Sequence, residues 1–164
     1  MRVIIISCSS ALLFGILFHD PMEASAAETG AAAGVVYQEG GSISPNANYS
    51  GAALQLWPAR KHAVQLGVAV ETEGNRNVSF HGEYQRHFLR SENDLHSLFA
   101  GAGVFYEDAP GDDWIAAYAP MGFRLQLQNY PVSFTVSTAV RLFFDPESSV
   151  EIFDEIRLGA FYEF

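Results

Sequence analysis

The sequence predicts an all-β protein, an eight-stranded antiparallel up-and-down transmembrane β-barrel. Three observations predict it. Runs of about ten residues that alternate in polarity, separated by turn chemistry, recur along the chain. No segment after residue 26 carries a convincing helical periodicity. One face of each run is apolar along its whole length, while the other is built from small and polar residues.

The start of the chain has a different character. Met1-Arg2 is a short positive region, Val3 to Phe18 is apolar and uncharged, and Ala24-Ser25-Ala26 offers an A-x-A cleavage site. Residues 1–26 are therefore predicted to be a cleaved secretory signal and 27–164 the barrel domain. The apolar run is shorter than the roughly 20 residues needed to span a bilayer as a helix. Without residues 1–26 the chain keeps 8 of its 9 Lys+Arg and 17 of its 19 Asp+Glu, a formal charge of about −9. An acidic chain whose single lysine is Lys61 is poorly suited to nucleic acid. The only cysteine, Cys8, lies in the signal, so the mature chain has no disulfide, thiolate metal site or cysteine nucleophile.

Taken in order, the strands are predicted at Ala32–Gln38, Ser50–Trp57, Lys61–Glu71, Asn77–Phe88, Leu95–Tyr106, Asp113–Gln126, Pro131–Phe143 and Arg157–Phe164. In the third, Val64, Leu66, Val68 and Val70 alternate with Gln65, Gly67, Ala69 and Glu71. In the fourth, Ser79, His81, Glu83, Gln85 and His87 make an unbroken polar face. Pro120 inside the sixth predicts a local bulge. The connections 39–49, 107–112 and 144–154 read as long or acidic loops. Pro58-Ala59-Arg60, Gly74-Asn75, 90–94 and Asn129-Tyr130 read as turns. Short turns at one end and longer loops at the other are expected of a barrel whose short turns face the periplasm.

Alternation alone also fits a soluble, lipocalin-like carrier with its apolar face inside. The polar faces argue against that. They hold Gly51, Ala53, Gly67, Ala69, Gly101, Gly103, Gly122, Ser133, Ser137 and Gly159, which suit a crowded eight-stranded interior, and few of the lysines and glutamates that solubilise an exposed sheet. The apolar faces therefore point to lipid, with Tyr37, Tyr106, Tyr162 and Phe164 near strand ends, where aromatic girdles sit. Strand eight must pair with strand one, because a barrel in lipid leaves no edge open. Glu71, His81, Glu83, Arg124, Arg141, Arg157 and Glu163 then face the lumen as a polar network, with at least one Glu–Arg pair expected, since an isolated buried charge is costly.

The last residues carry a resemblance. Arg157, Gly159, Tyr162 and Phe164 resemble the C-terminal assembly signal of bacterial outer-membrane barrel proteins. The stretch from Pro120-Met121-Gly122-Phe123-Arg124 through Pro131-Val132-Ser133-Phe134 to Arg157-Leu158-Gly159 is similar to that of small OmpA/OmpX-like barrels. The resemblance implies a Gram-negative outer-membrane location. It also implies partners in the barrel assembly machinery, membrane lipid and lipopolysaccharide. It implies no activity.

Chemical candidates are sparse. Some barrels of this size modify lipid A, and a deacylase-like enzyme is the alternative reading, but there is no His-x-Ser-Asn run, and the outward His62 and His96 have no serine two residues away. His81, Glu83 and His87 share a face, with spacing that suits an acid–base or metal pair, although hydrogen bonding within the lumen accounts for them. The acidic loops lack EF-hand spacing. No cofactor, metal or catalytic residue is assigned. The role expected is structural or surface-interactive, through loops 39–49, 107–112 and 144–154.

Overall fold

The computed structural model describes residues 30–40, 48–72, 77–89, 95–110, 112–145, 149–152 and 155–164. The segment 1–26 expected to be a signal, and the stretches Gly74-Asn75 and 90–94 expected to be turns, lie outside them. The strands are β1 (Gly30–Gly40), β2 (Asn48–Ala59), β3 (His62–Glu71), β4 (Val78–Phe88), β5 (His96–Ala109), β6 (Asp112–Gln126), β7 (Val132–Asp145), β8 (Ser149–Ile152) and β9 (Glu155–Glu163). From β1 to β7 each strand pairs antiparallel with the next, and β9 pairs with both β7 and β1. β8 continues the same flank of β7 past the end of β9, so the closed wall has eight staves. The seam is complete to the last residue: the Phe164 N–H donates to the Ala31 carbonyl at 2.9 Å.

Alternation sets the faces. Val35, Leu66 and Val104 are 65%, 54% and 64% exposed on the outside, whereas Gln65, Glu83 and Arg141 are 3%, 3% and 1% exposed inside. One row of directly opposed residues runs Ala32, Gln55, Gln65, Glu83, Gly103, Tyr118, Arg141 across seven staves. It starts opposite Glu163 and ends opposite Glu151, so one circuit climbs along the last stave, the stagger a closed barrel requires.

Three expectations are corrected. The loops predicted at 107–112 and 144–154 are largely strand: β5 and β6 stay paired to Ala109 and Asp112, and Ser149–Ile152 is a strand on β7. β1 and β2 likewise run into 39–49, pairing as far as Glu39 and Asn48. Pairing backbone groups continues past the point where hydrophobic alternation gives way to acids, because the ladder uses main-chain atoms alone. Pro120 makes no bulge: the β5–β6 register is the same at Met121 and at Tyr118, and the irregularity lies instead at Ile115/Ala116 on the β6–β7 ladder. The connection at the opposite end, 127–131, is a turn as expected, with Asn129 at φ 71°, a left-handed conformation that asparagine tolerates.

The interior has room for rings because glycine faces them. Gly34 is opposite Phe161, Gly67 opposite His81, Gly103 opposite Tyr118 and Gly122 opposite Phe99. A Cβ on Gly103 would stand 2.7 Å from Cζ of Tyr118, and one on Gly122 would stand 2.7 Å from Cζ of Phe99. In each pair the ring lies across the backbone of the neighbouring stave, filling a lumen too narrow for two side chains at that point.

Candidate functional site

Among the described residues, the charged side chains of the lumen and their hydrogen-bond partners fall into three groups along the barrel axis. The central one is an alternating chain of four charges. Arg141 bonds Glu155, Glu155 accepts from Nη2 of Arg157 at 3.1 Å, and Nη1 of Arg157 donates to Oε2 of Glu83 at 2.7 Å. Two guanidinium and two carboxylate groups alternate, so the chain is neutral although every member is buried. Glu83 also accepts from the Tyr118 hydroxyl at 2.6 Å and from the Gln85 amide. The guanidinium of Arg141 lies 4.4 Å from the Phe105 ring and that of Arg157 lies 5.3 Å from the Tyr118 ring, so aromatic faces take up positive charge that water would otherwise solvate.

β4 supplies the rest of this group. Its inward residues Ser79, His81, Glu83, Gln85 and His87 are all buried. The Gln55 amide donates to Oε1 of Gln85 at 2.9 Å, and that oxygen is 3.2 Å from Nε2 of His87. Nδ1 of His87 is 2.8 Å from Oγ of Ser97, and Nε2 of His81 is 3.3 Å from the Gln65 amide. The result is a polar plug continuous from β2 to β9.

The second group sits at the end bearing the Arg60-Lys61 turn. Arg124 bonds Glu163, whose other oxygen accepts from the Gln126 amide at 2.9 Å, and the Arg124 guanidinium lies 5.0 Å from the Trp57 ring. Trp57 in turn packs 4.5 Å from the His87 ring, which joins this group to the central one. The third group lies toward the opposite end. Glu107 accepts from the Tyr49 hydroxyl at 2.6 Å and from the Asn77 amide at 2.9 Å, while Glu71 accepts from the Asn77 N–H at 3.3 Å.

The residues singled out from sequence thus divide. Glu83, Arg141 and Arg157 come together at the centre with His81 beside them, Arg124 and Glu163 pair at one end, and Glu71 stands apart at the other. Of the terminal run, Arg157 and Gly159 face inward, and Tyr162 and Phe164 are exposed on the outer surface. The network expected from sequence left out Glu155, the hub between two arginines, and the neutral partners Tyr118 and Gln55, and it held Gln85 only as a member of the polar face of β4. Glu155 had a signal: it shares the parity of Arg157 and Glu163.

Chemically the arrangement is a buried, hydrogen-bonded network of alternating charges. Both oxygens of Glu83 are engaged by donors: Oε1 accepts from Gln85, and Oε2 accepts from Tyr118 and Arg157. Among the described residues no group of three or more His, Cys, Asp or Glu has the geometry to hold a metal ion. His62 and His96, on the outer face, contact Tyr84 and Phe123 respectively. A comparison with protein-family models, curated proteins and solved structures finds no match to this chain.

Proposed function

We propose that this barrel is an integral protein of the bacterial outer membrane, related to the small OmpA/OmpX-like barrels. On this reading its lumen is closed by side chains, and its role is structural or surface-interactive. The observation that carries the proposal is the inverted distribution of polarity. Leucine, valine, isoleucine and phenylalanine are exposed around the wall, on every one of the eight staves, while among the described residues seven buried acidic and basic side chains, from Glu71 to Arg157, face the interior. In water such a surface would drive aggregation. In a bilayer it is the surface that solvation favours, and closure leaves no strand edge unpaired in hydrocarbon.

The terminal run Arg157, Gly159, Tyr162 and Phe164 supports delivery by the barrel assembly machinery, because its outward aromatics stand on the closing stave. Lipid, and lipopolysaccharide at the outer rim, are the partners this reading supplies. The test is fractionation of cells expressing the full chain, followed by gel electrophoresis with and without heating. An outer-membrane band that migrates faster before boiling is expected. A soluble periplasmic protein with no heat-dependent shift would refute the reading.

A further inference from the structure

The apolar belt on the outer wall is not of even height. On β2 the outward run is Ala52, Leu54 and Leu56, with Ser50 beyond one end and Pro58 beyond the other. On β3 it runs from Val64 to Val70, between His62 and Thr72, and on β1 it stops at Tyr37, short of the exposed Glu39. On β6 every outward residue from Ile115 to Leu125 is apolar, and Leu127, just past the strand, is exposed as well. On β7 the run extends from Phe134 to Phe144, broken by Thr138. A strand tilted by about 40° climbs about 2.5 Å per residue along the barrel axis. The run is therefore about 10 Å tall on β2 and about 15 Å on β3, but about 25 Å on β6 and β7, the height of a full transmembrane band.

β2 and β6 are four staves apart in a wall of eight, so they face opposite sides. The row of opposed residues climbs about five residues in half a circuit, which sets Ser50 level with Tyr118 and Leu56 close to the height of Leu125. By the same climb Glu39 is about level with Ala117, well inside the β6 run, and His62 is about level with Leu125, above the exposed Leu127. The belt is thus short at both ends of one side. Tilting a barrel in a flat bilayer raises both ends of one side together, so tilt does not serve such a belt. We infer that the bilayer narrows beside β1–β3, and that the lipid which fits this face is a phospholipid with short, fluid acyl chains. Its headgroups settle near Glu39 and Ser50 at one end and near Lys61 and His62 at the other. The boundary residues argue for this occupant. Glu39 is exposed on the wall at a height where the outward face of β6 is apolar, and a carboxylate against hydrocarbon is unfavourable, whereas local thinning accommodates a short apolar span at modest cost. The inference rests on the membrane reading above.

The test places nitroxide labels on single cysteines of the full exported chain, carrying Cys8→Ser and folded into dioleoylphosphatidylcholine vesicles. Depth is read from the ratio of oxygen to nickel-chelate collision rates. Two pairs compare the sides: Ser50→Cys with Ala117→Cys toward one end, and Leu56→Cys with Leu125→Cys toward the other. In both pairs the β2 label is expected to be the shallower, by about 5 Å at the Ser50 end and about 3 Å at the Leu56 end. Ala52→Cys with Ala119→Cys repeats the first comparison should a labelled barrel fail to fold. Equal depths within each pair would overturn the inference. So would a Ser50 label shallower than its partner with a Leu56 label deeper than its own, the pattern of a tilted barrel in a flat bilayer. A β6 label shielded from both reagents would put a protein contact on the tall side and overturn it as well. In dilauroylphosphatidylcholine, whose hydrocarbon layer is thinner, the difference between the sides should fall to less than half; an undiminished difference would overturn the fit to short chains. Equal depths within the hydrocarbon refute the thinning alone. Four labels as accessible to the nickel chelate as in water refute the membrane reading with it.

Discussion

Glu83→Gln is the sharpest probe of the central charge network. The substitution keeps the shape and one carbonyl acceptor but removes a charge from the four-membered chain, leaving two arginines against Glu155 alone. Glu83 is 3% exposed and Arg157 4%, so water cannot replace what is lost. Removing one partner of a buried ion pair costs about 3–5 kcal/mol, because the survivor is left charged in a medium that solvates it poorly. Here Arg157 keeps its 3.1 Å contact with Glu155, and Tyr118 can still donate to the new amide oxygen, so the expected loss sits at the lower end, about 3 kcal/mol. The Glu83→Gln/Arg157→Gln double variant restores neutrality and should be less destabilised than the two single changes together, with a coupling energy of at least about 1.5 kcal/mol. Urea unfolding from lipid vesicles reads both, followed by the fluorescence of Trp57 and Trp114, which pack against His87 and Phe143 inside the barrel. A single variant within about 1 kcal/mol of wild type, with additive double-variant behaviour, would show that the pair is not coupled and that the chain of four charges is wrongly described.

Other outcomes follow from the same geometry. Leu66→Arg, on the outer face in the middle of β3, should cost about 2–4 kcal/mol in a bilayer, whereas a water-exposed site would tolerate it; unfolding from vesicles decides between them. Gly103→Ala brings a methyl to 2.7 Å from Cζ of Tyr118, pushing the ring off Glu83 and destabilising the barrel by about 1–3 kcal/mol; a neutral effect in the same unfolding assay would show that the ring can move freely. Phe164→Ser should lower the amount of folded barrel recovered in the outer membrane, read by the heat shift. Unchanged levels would count against the terminal run as an assembly signal.

Faces were legible in the sequence because a strand repeats every two residues, so one correct parity assigns a whole stave. Val64 to Glu71 shows this: each residue lies on the face its position implies. Strand ends were not legible. Asp108 and Asp112 look like loop residues, yet both are paired in the ladder, with Asp113 and Ala109 respectively, since main-chain pairing does not depend on side-chain polarity. β8 was hidden for the same reason within the acidic stretch 144–154. The network was legible in its charges but not in its pairing, because which carboxylate meets which arginine depends on the climb of the row around the barrel. Arg157 reaches Glu83 across the lumen, 74 positions away in the chain, a relation no local spacing encodes.

The glycine–ring pairs solve a problem that polarity cannot. An alternating strand that slides by two residues keeps every side chain on its proper face, so the hydrophobic pattern is blind to even-numbered slips. On the β5–β6 ladder the two pairs together are not blind. A slide in one direction sets Phe99 against Pro120, and a slide in the other sets Tyr118 against Phe105 and Phe99 against Arg124, in a lumen with no room for either arrangement. The four glycines thus act as a key cut into the wall: they tell each stave not only which way to face, but how far along its neighbour to stop.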